Sequence, residues 1–185
     1  MTRSQIIRIV PYDPEWPALF DRLRDRIWPV VSDIAIGLEH VGSTAVPGLA
    51  AKPVIDMDII IPSRDVWPTI VRRLAGLGYE HRGEVGIADR DAFRAPGDQP
   101  SHHLYVCSSG SAALRNHIAF RDHLRGHPGD AAAYADLKLE LADRFSDDRE
   151  RYVEGKTAFV LSILARYTQP PESGSAELPQ PRLEL

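Results

Sequence analysis

Cysteine is almost absent from the sequence, which holds only Cys107 in 185 residues. A single thiol cannot form a disulfide within the chain, and such scarcity is typical of proteins in a reducing compartment. No apolar run approaches the roughly eighteen residues that a membrane span needs. The start, "MTRSQIIRIVPYD", lacks the apolar core of a signal peptide. We therefore expect a cytoplasmic protein with no membrane part.

Positive charge is not in excess either. The chain holds 22 Lys and Arg against 26 Asp and Glu, which gives a formal net charge of −4 and a pI near 6.0. Nonspecific binding to nucleic acid needs a basic surface, so we expect no nucleic-acid partner. A small phosphorylated ligand is compatible with this charge, because a few cations in a cleft are enough to bind it. The G-x-G-x-x-G turn of a dinucleotide-binding domain is also missing.

Apolar periodicity places the strands in the first part of the chain and most helices after them. Predicted strands cover residues 6–10, 34–41, 54–61, 91–96 and 102–107. Predicted helices cover 13–31, 111–126, 129–144 and 149–167, and one more begins with Ser63 as its cap and ends at Gly76 or Gly78. In the first helix, Asp13 is the candidate N-cap and Pro14 the first helical residue. This order indicates an α+β fold, a mixed β-sheet flanked by helices with a C-terminal helical segment. The folded domain is expected to span 5–167, and the Pro-, Ser- and Glu-rich stretch 168–185 to be a disordered tail.

Two aspartates, Asp56 and Asp58, interrupt the apolar strand "VIDMDIII". Residues two apart on a strand share a face, so both carboxylates point one way while Ile55, Met57 and Ile59 point into the core. Mg²⁺ is characteristically bound by one or two carboxylates plus waters and phosphate oxygens, which makes the pair a candidate metal site. The alternative is the solvated face of an edge strand, which shows the same alternation.

A Gly-Ser pair, Gly42-Ser43, follows the predicted strand that ends at Val41. Such a pair can present backbone N–H groups and a hydroxyl to phosphate oxygens, although Gly and Ser are also ordinary turn residues. Because the strand with Asp56 and Asp58 follows about a dozen residues later, Gly42-Ser43 indicates a phosphate-binding turn beside a metal site. Phosphoryl and nucleotidyl transfer need these two parts together.

Three consecutive helices each place a cation within their apolar stripe: Arg121, Lys138 and Lys156. For each one, snorkelling at the edge of the stripe is the simple alternative. Because an unpaired buried charge is costly, three together indicate a shared anion, either the two aspartates or a bound phosphate ester. A structural network of buried ion pairs is the other explanation. Lys52, just before the aspartate strand, is a further candidate phosphate contact or a solvated loop lysine.

The stretch "EHVGSTAVPGLAAKPVIDMDI" (39–59) resembles the signature of the GrpB-like family, part of the nucleotidyltransferase superfamily that includes DNA polymerase beta. The similarity continues in "YDPEWPALF", "FRDHLRGHP", "YADLKLELA" and "RYVEGKTAFV". The resemblance implies the minimal nucleotidyltransferase fold. It also implies that Gly42 and Ser43 hold a triphosphate and that Asp56 and Asp58 bind Mg²⁺.

One departure from this pattern concerns the third carboxylate that active members of the superfamily usually bring from a later strand. The corresponding strand here, "SHHLYVC" (101–107), contains none and offers His102 and His103 instead. His103 is a candidate catalytic base, because the pKa of a free histidine is near 6.5. A histidine hydrogen-bonded in the wall of a cleft is the alternative.

The leading hypothesis is a Mg²⁺-dependent nucleotidyltransferase that passes a nucleoside monophosphate from a nucleoside triphosphate to a small-molecule acceptor. The second hypothesis is a non-catalytic module that binds a nucleotide or a coenzyme A-like anion. The missing third carboxylate motivates it. The resemblance also implies a link to nucleotide or coenzyme A metabolism, since GrpB-like domains are similar to ones fused to dephospho-coenzyme A kinase in some bacteria. The third is a hydrolase or phosphotransferase that uses His103 on the same scaffold.

Overall fold

The structure, a computed structural model, describes residues 6–168. The strands are β1 Gly37–Val41, β2 Ile55–Ile61, β3 Glu80–Gly83, β4 Arg90–Arg94 and β5 His102–Ser108. The α-helices are α1 Trp16–Val31, α2 Trp67–Gly76, α3 Ala112–Gly126, α4 Pro128–Arg144 and α5 Arg149–Thr168. The sheet has the order β1-β2-β5-β4-β3. The β2–β5 pair is parallel, and the other neighbours are antiparallel. The predicted α+β class with a mixed sheet is confirmed.

One face of the sheet packs against α1 and α2. Alternate residues of β2 point to this face, and Ile55, Met57 and Ile59 are fully buried there, as predicted. Leu23 and Ile27 of α1 meet them, because residues four apart share one side of a helix. Each such buried side chain contributes roughly 1.5–3 kcal/mol, so this layer fixes which face β2 presents to the rest of the molecule.

The last three helices pack on one another and on the loop that follows β1. Val46 and Leu49 of that loop are buried against Leu124, Tyr134 and Ile163, one from each helix. The loop therefore lies between the sheet and the helical group. Of the helices in the described part of the chain, none is long and apolar enough to cross a membrane.

The first predicted strand, 6–10, is wrong. Val10 makes an isolated antiparallel bridge with Ala51, and Ile7 donates its backbone N–H to the Ser146 carbonyl at 2.7 Å. The segment therefore runs past the helical group, and no strand lies along it within residues 6–168.

The predicted start of the first helix is wrong by two residues. The helix begins at Trp16 with Pro17 in its first turn, and Pro14 lies in the turn before it. Asp13 accepts a hydrogen bond from the Glu15 N–H at 2.9 Å, so its carboxylate closes that turn. The predicted tail lies, apart from Thr168 at the end of α5, outside the described residues, and its boundary stays a prediction.

Candidate functional site

Asp56 and Asp58 point to the sheet face opposite α1 and α2. β2 lies between β1 and β5, which excludes the solvated edge strand as the explanation of the pair. The two carboxylates have different surroundings. The Asp56 side chain is 30% exposed and lines a cleft, whereas the Asp58 side chain is fully buried beneath it.

A histidine pairs with each aspartate. His103 Nδ1 lies 2.8 Å from Asp56 Oδ1, and His117 Nδ1 lies 2.7 Å from Asp58 Oδ2. The parallel register sets His103 opposite Asp56 and Tyr105 opposite Asp58. A histidine therefore lies beside the first carboxylate, on the strand where the family pattern implies a third one. His117 comes from α3, and sequence spacing gave it no role because its partner is distant along the chain.

The other oxygen of Asp58, Oδ1, is buried and has no hydrogen-bond partner within the described part of the chain. A buried carboxylate oxygen without a donor is costly, so a cation there would be favourable. Among residues 6–168, no group of three or more His, Cys, Asp or Glu side chains is arranged to hold a metal. Two carboxylates fit Mg²⁺ only if water and phosphate oxygens supply its other ligands, which is its usual mode of binding.

Gly42 brings the turn after β1 against the Asp56 carboxylate. Its φ is +71°, and a Cβ at this position would lie 2.3 Å from Asp56 Oδ2. Glycine is thus required both by its backbone conformation and by the close approach. Ser43 begins the short 3-10 helix Ser43–Ala45 and lines the cleft next to this carboxylate.

We expect Gly42→Ala to destabilise the fold by roughly 2–4 kcal/mol, since the substitution adds a steric clash to the backbone strain. Gly48→Ala is the matched control, because Gly48 has a φ of +81° and nothing within 4 Å of the added Cβ. The free energies of unfolding from urea denaturation separate the two effects. Equal losses for both variants would show that the contact with Asp56 has no energetic weight.

Lys138 is buried behind Ser43. Its ammonium group donates to Ser43 Oγ at 3.1 Å and to the carbonyl of Ala50. Burial, followed by repulsion from Lys156, lowers the pKa of Lys138 to about 7. Such a lysine gains strongly from an anion in the cleft, because a negative charge favours its protonated form.

Two further lysines share the ring of Tyr152. Lys156 Nζ lies 4.6 Å and Lys52 Nζ 4.7 Å from the ring centroid. Burial and the charge of Lys52 lower the pKa of Lys156 to about 8, and burial also lowers the pKa of Lys52. Within residues 6–168, neither these lysines nor Lys138 has a carboxylate within 4.0 Å of its ammonium group.

The aspartate-bearing face of the sheet and helices α4 and α5 enclose a cleft of about 390 Å³. Its charged or polar lining residues are Ser43, Thr44, Lys52, Asp56, Arg90, His103, Tyr105, Lys138, Arg149, Tyr152 and Lys156. Most of the predicted site is thus brought together. Arg90, Arg149 and Tyr152 are additional lining residues that the sequence did not single out.

Arg121 does not join this cleft, so the prediction of three helix cations around one anion is wrong for this residue. Its guanidinium is 2.6 Å from Glu39, 2.8 Å from Asp122 and 2.9 Å from the carbonyl of His40. These groups neutralise the Arg121 guanidinium and accept its hydrogen bonds. The contacts with Glu39 and His40 link α3 to β1. For Arg121 the explanation is the structural network of ion pairs, not snorkelling or a shared anion.

Comparison with solved structures identifies the fold class first. A structure of the GLD-2/RNP-8 complex matches with a TM-score of 0.54 at 20% identity, covering 87% of this chain and 62% of that chain. A structure of the Cid1 poly(U) polymerase bound to MgATP matches with a TM-score of 0.51 at 14% identity, covering 74% of this chain and 44% of that chain. These likenesses are of fold alone, and the chain has a nucleotidyltransferase fold.

The chain belongs to the GrpB family, described as "GrpB protein", whose model matches residues 6–166. The crystal structure of GrpB from Enterococcus faecalis has a TM-score of 0.78 and 30% identity, and the match covers 88% of this chain and all of that one. A Pseudomonas aeruginosa relative, the UPF0157 protein PA4798, is 40% identical over 165 residues, which are 86% of this chain and 67% of the relative.

Some relatives are much longer than the matched region. The UPF0157 protein YqkA of Bacillus subtilis is 36% identical over 154 residues, 83% of this chain but 45% of that protein. A dephospho-CoA kinase of Mycolicibacterium paratuberculosis is 29% identical over 177 residues, 81% of this chain and 43% of the kinase. The chain therefore spans less than half the length of these two proteins.

Proposed function

We propose that the protein binds a nucleoside triphosphate in this cleft and transfers its nucleoside monophosphate to the hydroxyl of a small-molecule acceptor. The observation that carries the proposal is the position of Asp56, whose carboxylate opens into a cleft that also holds Ser43 and three lysines with no carboxylate partner among residues 6–168. A metal-binding group next to a cationic anion site is the pairing that nucleotidyl transfer requires.

Each residue has a defined part in the proposed reaction. Ser43 and Lys138 bind the terminal phosphates, and Lys156 with Lys52 neutralises charge on the departing pyrophosphate. Asp56 and Asp58 would hold Mg²⁺, which, when bound, supplies charge neutralisation and orientation of the phosphates. His117 fixes the orientation of Asp58 from behind.

His103 is the proposed group that takes the proton of the acceptor hydroxyl. Its Nδ1 is engaged by Asp56, which leaves Nε2 for the acceptor, and its side chain is 45% exposed. An imidazole held by a carboxylate is the usual arrangement of a general base. Loss of turnover in His103→Ala with unchanged nucleotide affinity is the expected result.

Pyrophosphate release from each nucleoside triphosphate, measured across a panel of small hydroxyl acceptors and one short RNA, tests the proposed reaction. We expect Mg²⁺-dependent release with a small acceptor and a loss of at least about 100-fold in Asp56→Asn. Asp33→Asn is the control, because Asp33 pairs with Arg73 outside the cleft. Turnover with the RNA alone would contradict the small-molecule acceptor.

A second candidate is a binding module that turns nothing over. The complete burial of Asp58, which pairs with His117 and does not line the cleft, favours it. The likeness to part of a dephospho-CoA kinase makes a coenzyme A-like anion the first ligand to test. Titration calorimetry and the pyrophosphate assay together discriminate the two: the module predicts metal-dependent binding without pyrophosphate release across the acceptor panel. Binding that ignores Mg²⁺ and survives Asp56→Asn combined with Asp58→Asn would contradict the metal site itself.

A further inference from the structure

An arginine from the strand beyond β5 lies in the same cleft. Arg90 begins β4, and its Cζ lies 4.4 Å from the centroid of the Tyr105 ring. β4 and β5 pair antiparallel, with Arg90 opposite Cys107 and Ala92 opposite Tyr105. The side chain of Arg90 therefore leans along the sheet over Tyr105, where contact with the ring holds its guanidinium in place.

The guanidinium of Arg90 has an unmet hydrogen-bonding need. Its Nε atom is buried and has no hydrogen-bond partner in the described part of the chain. No carboxylate of residues 6–168 lies within ion-pair distance of it either. Buried donors in native proteins are paired with few exceptions, so an unpartnered Nε on a side chain that lines a cleft points to a ligand.

Arg90 and Lys138 contact different parts of the cleft wall. Tyr105, beneath the Arg90 guanidinium, is opposite Asp58 in the sheet register, whereas the Lys138 ammonium group donates to Ser43. Arg149, at the start of α5, also lines the cleft. Arg149 is close enough to Lys52 and Lys156 for its charge to lower the pKa of both, so it belongs with the lysines, whereas Arg90 stacks on Tyr105.

The charged lining of the cleft is mainly cationic. Three lysines and two arginines line it, and Asp56 is its one lining carboxylate among the described residues. In the proposed function, a triphosphate occupies the side of the cleft with the three lysines, which leaves Arg90 for a second anion. Guanidinium groups match the planar, forked geometry of carboxylate and phosphate oxygens better than ammonium groups do.

We infer that Arg90 binds an oxyanion group of the acceptor, a phosphate or a carboxylate. The acceptor class is then a small anionic alcohol, such as a phosphorylated or carboxylated hydroxy compound. This inference rests on the proposed nucleotide site for its assignment to the acceptor, while the oxyanion contact itself depends only on the geometry around Arg90.

Arginine side-chain NMR of the ¹⁵N-labelled full chain tests this inference. The Nε–H signal of Arg90 is identified by its loss in Arg90→Gln. Inorganic phosphate and, in a separate arm, acetate are titrated with and without a non-hydrolysable ATP analogue and Mg²⁺. We expect this signal to shift with at least one of the two anions, and the arm with the larger affinity identifies the oxyanion class.

The affinity for the anion that shifts the signal should fall about 10- to 100-fold in Arg90→Gln, because the variant loses a charge-assisted hydrogen bond. Affinity for the ATP analogue should stay within about twofold. Arg90→Lys keeps the positive charge but not the planar, bidentate guanidinium, so it should recover only part of the affinity for the anion. Arg82→Gln, an exposed arginine outside the cleft lining, is the control and should change neither affinity.

Two results would overturn the inference. One is an Arg90 signal that neither anion shifts. The other is an Arg90→Gln variant that loses affinity for the ATP analogue but not for the anion, which would place Arg90 in the nucleotide site. If the ATP analogue does not bind at all while phosphate still shifts the signal, the proposed function fails and the oxyanion site stands.

Discussion

Lys138→Met is expected to weaken triphosphate binding about 10- to 100-fold, because it removes a buried charge-assisted contact. The same substitution should stabilise the free protein by roughly 1–3 kcal/mol at pH 7, since methionine fills the space without a buried charge. Calorimetric titration with inorganic tripolyphosphate gives the first quantity, and urea unfolding gives the second. Gain of stability with loss of binding is the pattern of a residue retained for a ligand.

The stabilising effect of Lys138→Met should depend on pH. The pKa of Lys138 is lowered to about 7 in the folded state from the ordinary 10.5. Between these values the unfolded chain binds more protons, so the stability of the unsubstituted protein rises with pH. The advantage of methionine is therefore largest below pH 7 and disappears as the pH approaches 10.5.

Arg121→Met is the matched comparison, because Arg121 is also a buried helix cation. It should cost roughly 1–3 kcal/mol of stability, moderated because its partner Glu39 is 39% exposed and can be rehydrated. Its tripolyphosphate affinity should stay unchanged. If Lys138→Met and Arg121→Met lost the same affinity for tripolyphosphate, Lys138 and Arg121 would not differ in function.

Anion affinity itself is expected to fall about 10- to 100-fold as the pH rises from 7 to 9.5. Lys138 and Lys156 lose their protons over this range, with pKa values of about 7 and 8. The anion favours the charged forms, so binding near pH 8 should take up protons. Titration calorimetry in buffers of different ionisation enthalpy measures that uptake directly.

Lys156→Arg is the control for this pH dependence. Arginine stays protonated at these pH values, so the variant should keep its affinity better than the unsubstituted protein above pH 8. An affinity that does not change with pH in the unsubstituted protein would show that the cleft lysines do not meet the anion.

The sequence could predict those parts of the fold whose signal is local. In α1, apolar residues recur at helical spacing, and this pattern predicts the helix. In β2, apolar residues alternate with Asp56 and Asp58, and this pattern predicts a strand with two different faces. The missed strand, Glu80–Gly83, is an exposed edge strand with polar residues, so its sequence resembles a loop. Residues 6–10 have the composition of a strand, but a strand forms only where a partner strand lies beside it. That pairing depends on the tertiary structure and is not encoded in the local composition.

For the site too, the sequence predicts residues with a local signal and misses those that depend on tertiary contacts. The positions of Asp56 and of the two cleft lysines of α4 and α5 could be predicted, because a charge within an apolar pattern is visible in the sequence. Gly42 and Ser43 could be predicted from the turn that precedes the D-x-D strand. Arg121 has the same signal, yet its partner Glu39 comes from β1 and makes it structural. Arg90 has no local signal at all, since it meets the site only through the pairing of β4 with β5.

The most direct test of the account is a crystal structure of the full chain with a non-hydrolysable nucleoside triphosphate analogue and Mg²⁺. The triphosphate should lie between Ser43 and the ammonium groups of Lys138 and Lys156, with the metal on the Asp56 and Asp58 carboxylates. A triphosphate in the neighbouring groove of about 290 Å³, lined by Pro47 and Leu124, would contradict the account. So would a bound triphosphate that leaves both aspartates without metal.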